Sequence, residues 1–167
     1  MASFNDLSLS ERLFIKGYPF QRFARHKNNP ASMAITPLSK PLSQCTVALV
    51  TTAGLTLPGQ PPFDASIKMG DSSFREIPGT LSPQELEIHH RSHAFSQDGI
   101  RLDRNLIFPL DRLHEMHARA EIGAVAPYHY SFMGSIPGPS KLIRETAPEV
   151  AQRLVSANVD VVLLTPA

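Results

Sequence analysis

The side chains able to do chemistry fall into a few short stretches. His89-His90-Arg91-Ser92-His93 puts three imidazoles in one segment, and His114 and His117 form a second group. His89 and His93 are four apart and His114 and His117 three apart, so each pair can share a helix face. Neither H-E-x-x-H nor a Cys-based zinc spacing completes such a pair, and Arg112, Glu115 and Arg119 beside His114 and His117 read as a solvated face. No metal is expected. A His-ligated metal protein is the reading that stoichiometric zinc or iron would support.

Gly70–Arg75 holds a carboxylate, two hydroxyls and a guanidinium. Asp71, Ser73 and Arg75 could recognise a carboxylate-bearing substrate, with Arg75 as its bidentate partner. The plainer reading is an Asp-Ser turn with Arg75 paired to a nearby acid. Pro127–Gly134 reads as a loop dense in aromatic and hydrogen-bonding groups. It follows a strand, so His129 and Ser131 are expected to line a site at the carboxyl edge of a sheet, with Thr165 at the same edge. Cys45 has no His or Lys next to it to lower its pKa and reads as a small packing residue. G-x-G-x-x-G is absent, so no dinucleotide is implied.

These stretches need a frame. Cys45–Thr52, Ala124–Ala126 and Val161–Leu164 are apolar, β-branched runs of the kind found in buried parallel strands. The last of them reads as a central strand with helices over both faces. Phe74–Ile77 is a shorter strand ended by Pro78-Gly79, and residues 56–72 read as a loop. Leu110, Leu113, Met116 and Ala120 form a helical stripe over 110–121. Thr146 and Glu149 have capping-box spacing before the amphipathic Val150, Leu154 and Val155, and Ser82 and Glu85 predict a short helix to about His89. A similar box at Ser8 and Glu11 opens a helix ending near Gly17, followed by a proline-interrupted arm with a basic cluster at 22–27. The expected fold class is α/β, an open, mainly parallel sheet with flanking helices, incomplete at its C-terminus. Residues 1–44 are read as the N-terminal helix and proline-rich arm, and 45–167 as the α/β domain, the N-terminal part of a longer one.

Lys and Arg number 16 against 15 Asp and Glu, a net charge of +1, which offers no field for nucleic acid or an anionic membrane. The apolar runs are too short to span a bilayer, and the N-terminus lacks a signal-peptide pattern. One cysteine allows no internal disulfide. A cytoplasmic protein is the expectation.

Several segments together resemble one family: Val47–Gly54, Gly70–Pro78, Asn105–Leu113, Ser131–Gly134, Arg144–Pro148 and Val159–Pro166. Their order and spacing are similar to the selenoprotein B family of the glycine/sarcosine/betaine reductases and D-proline reductase, from about Pro41 to the last residue. In that family the strand matching Val159–Thr165 runs into a selenocysteine (or cysteine), two residues and a cysteine. The resemblance implies an oxidoreductase cleaving a C–N bond of an amino acid or amine. The amine is activated in several members by a carbonyl group on a partner subunit, and a selenolate or thiolate attacks the carbon bearing nitrogen. The adjacent cysteine resolves the product, and a dithiol donor resets the enzyme.

On this reading the chain carries no catalytic residue of its own. The nucleophile lies beyond Ala167, at an in-frame UGA read as a stop, and the 167-residue polypeptide is inert and self-associating. Asp71, Ser73, Arg75, His129, Ser131 and Thr165 are the expected substrate-pocket residues. The His89–His93 loop departs from the amino-acid reductases, so the substrate does not carry over. The alternative is a non-catalytic small-molecule or subunit-binding module with a genuine end at Ala167.

Overall fold

Six residues without a charge, Thr46–Thr51, form the strand from which the sheet is built. The computed structural model describes residues 36–90 and 97–167. The chain divides between Pro37 and Leu38, and every element below belongs to Leu38–Ala167. Expectations for the first helix, for most of the proline-rich arm and for His93 fall outside the described residues.

Strand β1 (Thr46–Thr51) is flanked on both sides, as its β-branched residues lead one to expect. Strands β2 (Leu55–Thr56) and β4 (Glu87–Ile88) form a separate antiparallel ribbon. Strand β3 (Phe74–Pro78) is antiparallel to β6 (Tyr128–Phe132). Strands β5 (Ala124–Val125) and β6 run parallel to the first and last parts of β1. Strand β7 (Val161–Thr165) runs parallel along the whole of β1, from Val47↔Val161 to Thr51↔Thr165. The α-helices among the described residues are α1 (Asp98–Leu102), α2 (Leu110–Ala118) and α3 (Ala147–Ser156).

Alternation along the strands sorts the core into two layers. Val47 and Leu49 join Ile77, Phe108, Leu110 and Leu113 on one face, while Ala48 joins Tyr130, Phe132, Val150 and Leu154 on the other. Helices α2 and α3 therefore cover opposite faces of a mainly parallel sheet, and the fold is α/β.

Several local expectations are corrected. Tyr128–Phe132 is a strand, not a loop: its aromatic residues favour the pleated conformation, and pairing with β1 and β3 on either side buries it. The segment after Ser82 makes a single 3-10 turn, Pro83–Glu85, and then enters β4, although Glu85 does bond back to the Ser82 N–H at 3.3 Å. Thr146 is not a helix cap. A π-helical turn, Leu142–Thr146, leads straight into α3, and the Thr146 hydroxyl donates to Ser72 O at 2.7 Å instead. Helix α2 stops at Ala118, and Ala120 adopts a positive φ of 56° outside it. Val155 of α3 faces solvent. Strand β7 lies at the sheet's margin among the described residues, with Val162, Leu163 and Leu164 37%, 42% and 68% exposed. Its composition suits burial on both faces, yet only Val161 packs against the first core layer.

Candidate functional site

Three parallel strands end at one rim, and the pairing registers put a polar row just beneath it. Arg75 is opposite Ser131, Ser131 opposite Thr51, and Thr51 opposite Thr165. Residues in register share a face, so three of the sequence-derived site residues, Arg75, Ser131 and Thr165, are brought into line. Most of this polarity is turned inward. Ser131 is fully buried and its Oγ accepts the Leu55 N–H at 2.8 Å. Thr51 Oγ1 donates to Thr165 O at 3.0 Å and accepts the Ala53 N–H at 3.2 Å. The Thr165 hydroxyl is buried without a hydrogen-bond partner.

Arg75 is tied to its own chain. It donates to Pro61 O, Pro62 O, Phe74 O and Ser73 Oγ at 2.9–3.0 Å, with its guanidinium over the Phe63 ring. Asp71 accepts the backbone N–H groups of Asp64 and Ser73 at 2.9 Å each. Burial opposes ionisation, but hydrogen bonds from Ser73 and Asp64 outweigh it and hold the carboxyl below the usual range. Asp71 thus closes the Gly70–Arg75 loop as a turn, and Arg75 is bound to carbonyl groups and a hydroxyl.

His129 is inside the sheet. Its Nδ1 accepts the Leu49 N–H at 2.9 Å, which leaves the proton on Nε2. The ring packs edge-on with Phe108, and Nε2 is buried without a hydrogen-bond partner. Burial, with a smaller contribution from the nearby His114, pushes its pKa down to about 4. His114 donates from Nε2 to Gly79 O at 2.7 Å. Cys45, the only thiol, is buried at the opposite end of β1, about 20 Å from the rim at strand rise.

The rim has a second layer that sequence inspection missed. Ala167 donates its N–H to Thr52 Oγ1 at 3.0 Å, and Thr52 donates its own N–H to Thr165 O at 3.3 Å. The chain then crosses to β6, where Ala53 bridges Met133 and the Gly54 N–H reaches Phe132 O at 2.9 Å. Gly54 takes a φ of 65°, and its carbonyl accepts the His89 N–H. This brings His90 over Gly134: a Cβ there would collide with His90 Nε2 and lie 2.8 Å from Thr52 O. Gly134 directly follows a strand and bridge, which was the available signal. Pairing with His90 was not visible along the chain.

Away from the rim, an open groove of about 510 Å³ lies between α3 and β6. Glu76 accepts from Tyr130 Oη at 3.1 Å and from Arg153 at 3.2 Å, and Arg153 also binds Glu149. Among the described residues, no group of three or more His, Cys, Asp or Glu could hold a metal ion, and no helix is long and apolar enough to cross a membrane.

The family model for glycine/sarcosine/betaine reductase selenoprotein B matches residues 9–167. The chain belongs to the selenoprotein B family. It is 37% identical over 130 residues to the D-proline reductase subunit gamma of Acetoanaerobium sticklandii, covering 78% of this chain and 52% of that one. It is 31% identical over 127 residues to the betaine reductase complex component B subunit beta of Peptoclostridium acidaminophilum, covering 75% and 29%. With the glycine reductase complex component B subunit gamma of Symbiobacterium thermophilum it shares 28% over 149 residues, 89% and 33% of the two chains. The chain therefore spans about half, or about a third, of the length of these relatives. No solved structure matches it. Family blocks far apart in sequence meet in space: Thr146 holds the carbonyl of Ser72, and Thr165 pairs with Thr51.

Proposed function

We propose that this chain is part of a subunit of a selenol- or thiol-dependent reductase complex that cleaves a C–N bond of an amino-acid or amine substrate. Its own residues form the scaffold for a nucleophile that follows Ala167. The observation that carries the reading is the parallel register of β7 on β1, five residue pairs long. It directs the tail to the rim where open α/β sheets bind ligands, and Thr52 holds the tail there through Ala167.

The selenolate or thiolate supplies the attack on the carbon bearing nitrogen. The chain's contribution is to aim and confine the segment carrying it. Thr51 and Thr52 bind the Thr165 carbonyl, and Asp71, Ser73, Arg75 and Thr146 brace the loop beside β3. The partner subunit with its carbonyl group and the dithiol donor belong to the same reading, supported by the relatives' names as complex components.

Reading the genomic codons after Ala167 tests it. A UGA followed by a frame encoding a nearby cysteine is the expected result. A UAA, a UAG, or a UGA without such a frame would favour the binding-module alternative. Dithiol-dependent turnover by the purified 167-residue chain would contradict its expected inertness.

A further inference from the structure

Helix α3 has two exposed flanks of opposite character. Its buried residues Val150 and Leu154 face the sheet. With about 3.6 residues per turn, Glu149, Gln152, Arg153 and Ser156 fall on one flank, where they line the groove shared with Tyr128 and Tyr130 of β6. Pro148, Ala151 and Val155 fall on the other flank, and all three are exposed and apolar. Val50 pairs with Tyr130 on one side and with Leu164 on the other, so β6 and β7 flank β1. The apolar flank, pointing away from β6, is therefore on the β7 side. Val162 and Leu164 are in register with Ala48 and Val50, which belong to the core layer under α3. An exposed apolar strip thus runs along one face of the sheet, from α3 to the margin.

We infer that this strip seats a helix formed by the segment that follows Ala167, and that the same segment returns a parallel strand to the outer edge of β7. The inference rests on the reading above, in which the chain continues past Ala167. The α3 crossover runs outward from β6, past β1, to β7. A further crossover outward from β7, right-handed like nearly all such connections, must put its helix on the face that α3 covers. That is the face on which Val155, Val162 and Leu164 are 73%, 37% and 68% exposed. The edge is equally ready. Thr165 O accepts the Thr52 N–H, so the period of two turns the backbone groups of Val162 and Leu164 outward. Strand β7 has neither a charge nor a proline to guard that edge. The match covers 52% and 33% of two relatives, which leaves them far more chain than the dozen or so residues of a crossover.

The start of that helix is prepared at the rim. Thr165 and Pro166 have the residue types of a helix cap and first position, where the missing proline N–H costs nothing. The Ala167 N–H, the next unpaired donor of a first turn, is taken by Thr52 Oγ1 at 3.0 Å. Thr165 Oγ1, buried and without a partner, is left to accept the N–H after that. The nucleophile of the reductase reading then lies in the first turn of the helix.

The test compares the 167-residue chain with the chain extended through the downstream frame, with cysteine in place of any residue coded by UGA. Leu164→Cys and Val155→Cys are made in both, and iodoacetamide labelling of each position is followed by peptide mass spectrometry, which separates it from Cys45. Both positions should label at least tenfold more slowly in the extended chain. In the unsubstituted proteins, hydrogen exchange over residues 161–165 should slow by at least tenfold, and Thr165→Val, but not Thr165→Ser, should speed exchange over the residues just after Ala167.

Equal labelling in the two lengths overturns the inference, as does protection of Leu163→Cys with Leu164→Cys left reactive, since the helix would then lie on the opposite face. Slow labelling in the short chain that quickens on dilution would make a second copy the occupant and also overturn it. A downstream frame without a nearby cysteine defeats the reductase reading and leaves these measurements valid. Unprotected positions in a chain that does carry the cysteine defeat this inference alone, and a UAA or UAG directly after Ala167 ends both.

Discussion

Acid should loosen this fold through His129. The imidazole is fully buried, and its Nδ1 accepts the Leu49 N–H in the middle of the sheet. Burial moves its pKa from 6.5 to about 4. A group whose folded pKa is depressed favours the neutral form in the native state. Its contribution is therefore complete above the unfolded pKa and is lost as pH falls from 6.5 towards 4. The gap between those values corresponds to a ceiling of about 3 kcal/mol, of which about 2 kcal/mol should be gone by pH 5. That is a large part of the stability of a domain this size. Protonation at Nδ1 would also set an N–H against the Leu49 N–H. Urea unfolding at pH 7.5 and pH 5 measures the loss directly. His129→Asn supplies the comparison: its side-chain oxygen can replace Nδ1 as acceptor but does not titrate. The variant should be less stable at pH 7.5, having lost the packing with Phe108, yet have a shallower pH dependence by about 2 kcal/mol. Equal slopes for the two proteins between pH 7.5 and pH 5 would refute the argument.

Arg75→Met removes four hydrogen bonds that bind residues 61–62 and 73–74. It should cost about 1–2 kcal/mol, discounted for partial exposure, and speed amide exchange over residues 60–64, as seen by hydrogen-exchange mass spectrometry. Gly70→Ala places a Cβ 2.8 Å from Ile136 Cα at a φ of 88°. It should destabilise by at least about 2 kcal/mol in thermal or chemical unfolding, and a neutral result would show that the contact between the 70 and 136 loops is loose. The exposed Val162–Leu164 face should make the isolated chain self-associate. Sedimentation velocity over a range of concentrations would show this, and Leu164→Lys should reduce it. A parent chain monomeric at every concentration would disprove the expectation.

Composition and periodicity were enough for the elements whose own residues decide their state. Thr46–Thr51 and Val161–Thr165 are rich in β-branched residues and uncharged, and α3 has an apolar stripe at Val150 and Leu154, so strand, strand and helix could be read along the chain. The ordered blocks were likewise enough for the family. Partner choice was not local. Tyr128–Phe132 became a strand because β1 and β3 pair with it on either side, Val50 and Glu76 both lying opposite Tyr130, and that burial turned the His129 ring into an acceptor for the Leu49 N–H. Thr146 has the composition of a cap, but Ser72 O, 74 residues distant, competes for its hydroxyl. The imidazole of His90 meets Gly134 only because an antiparallel bridge at Ala53 and Met133 folds the end of β1 across β6. Local preference depends on a residue and its near neighbours, whereas the donor and acceptor roles at the rim depend on which distant backbone groups the sheet leaves within reach.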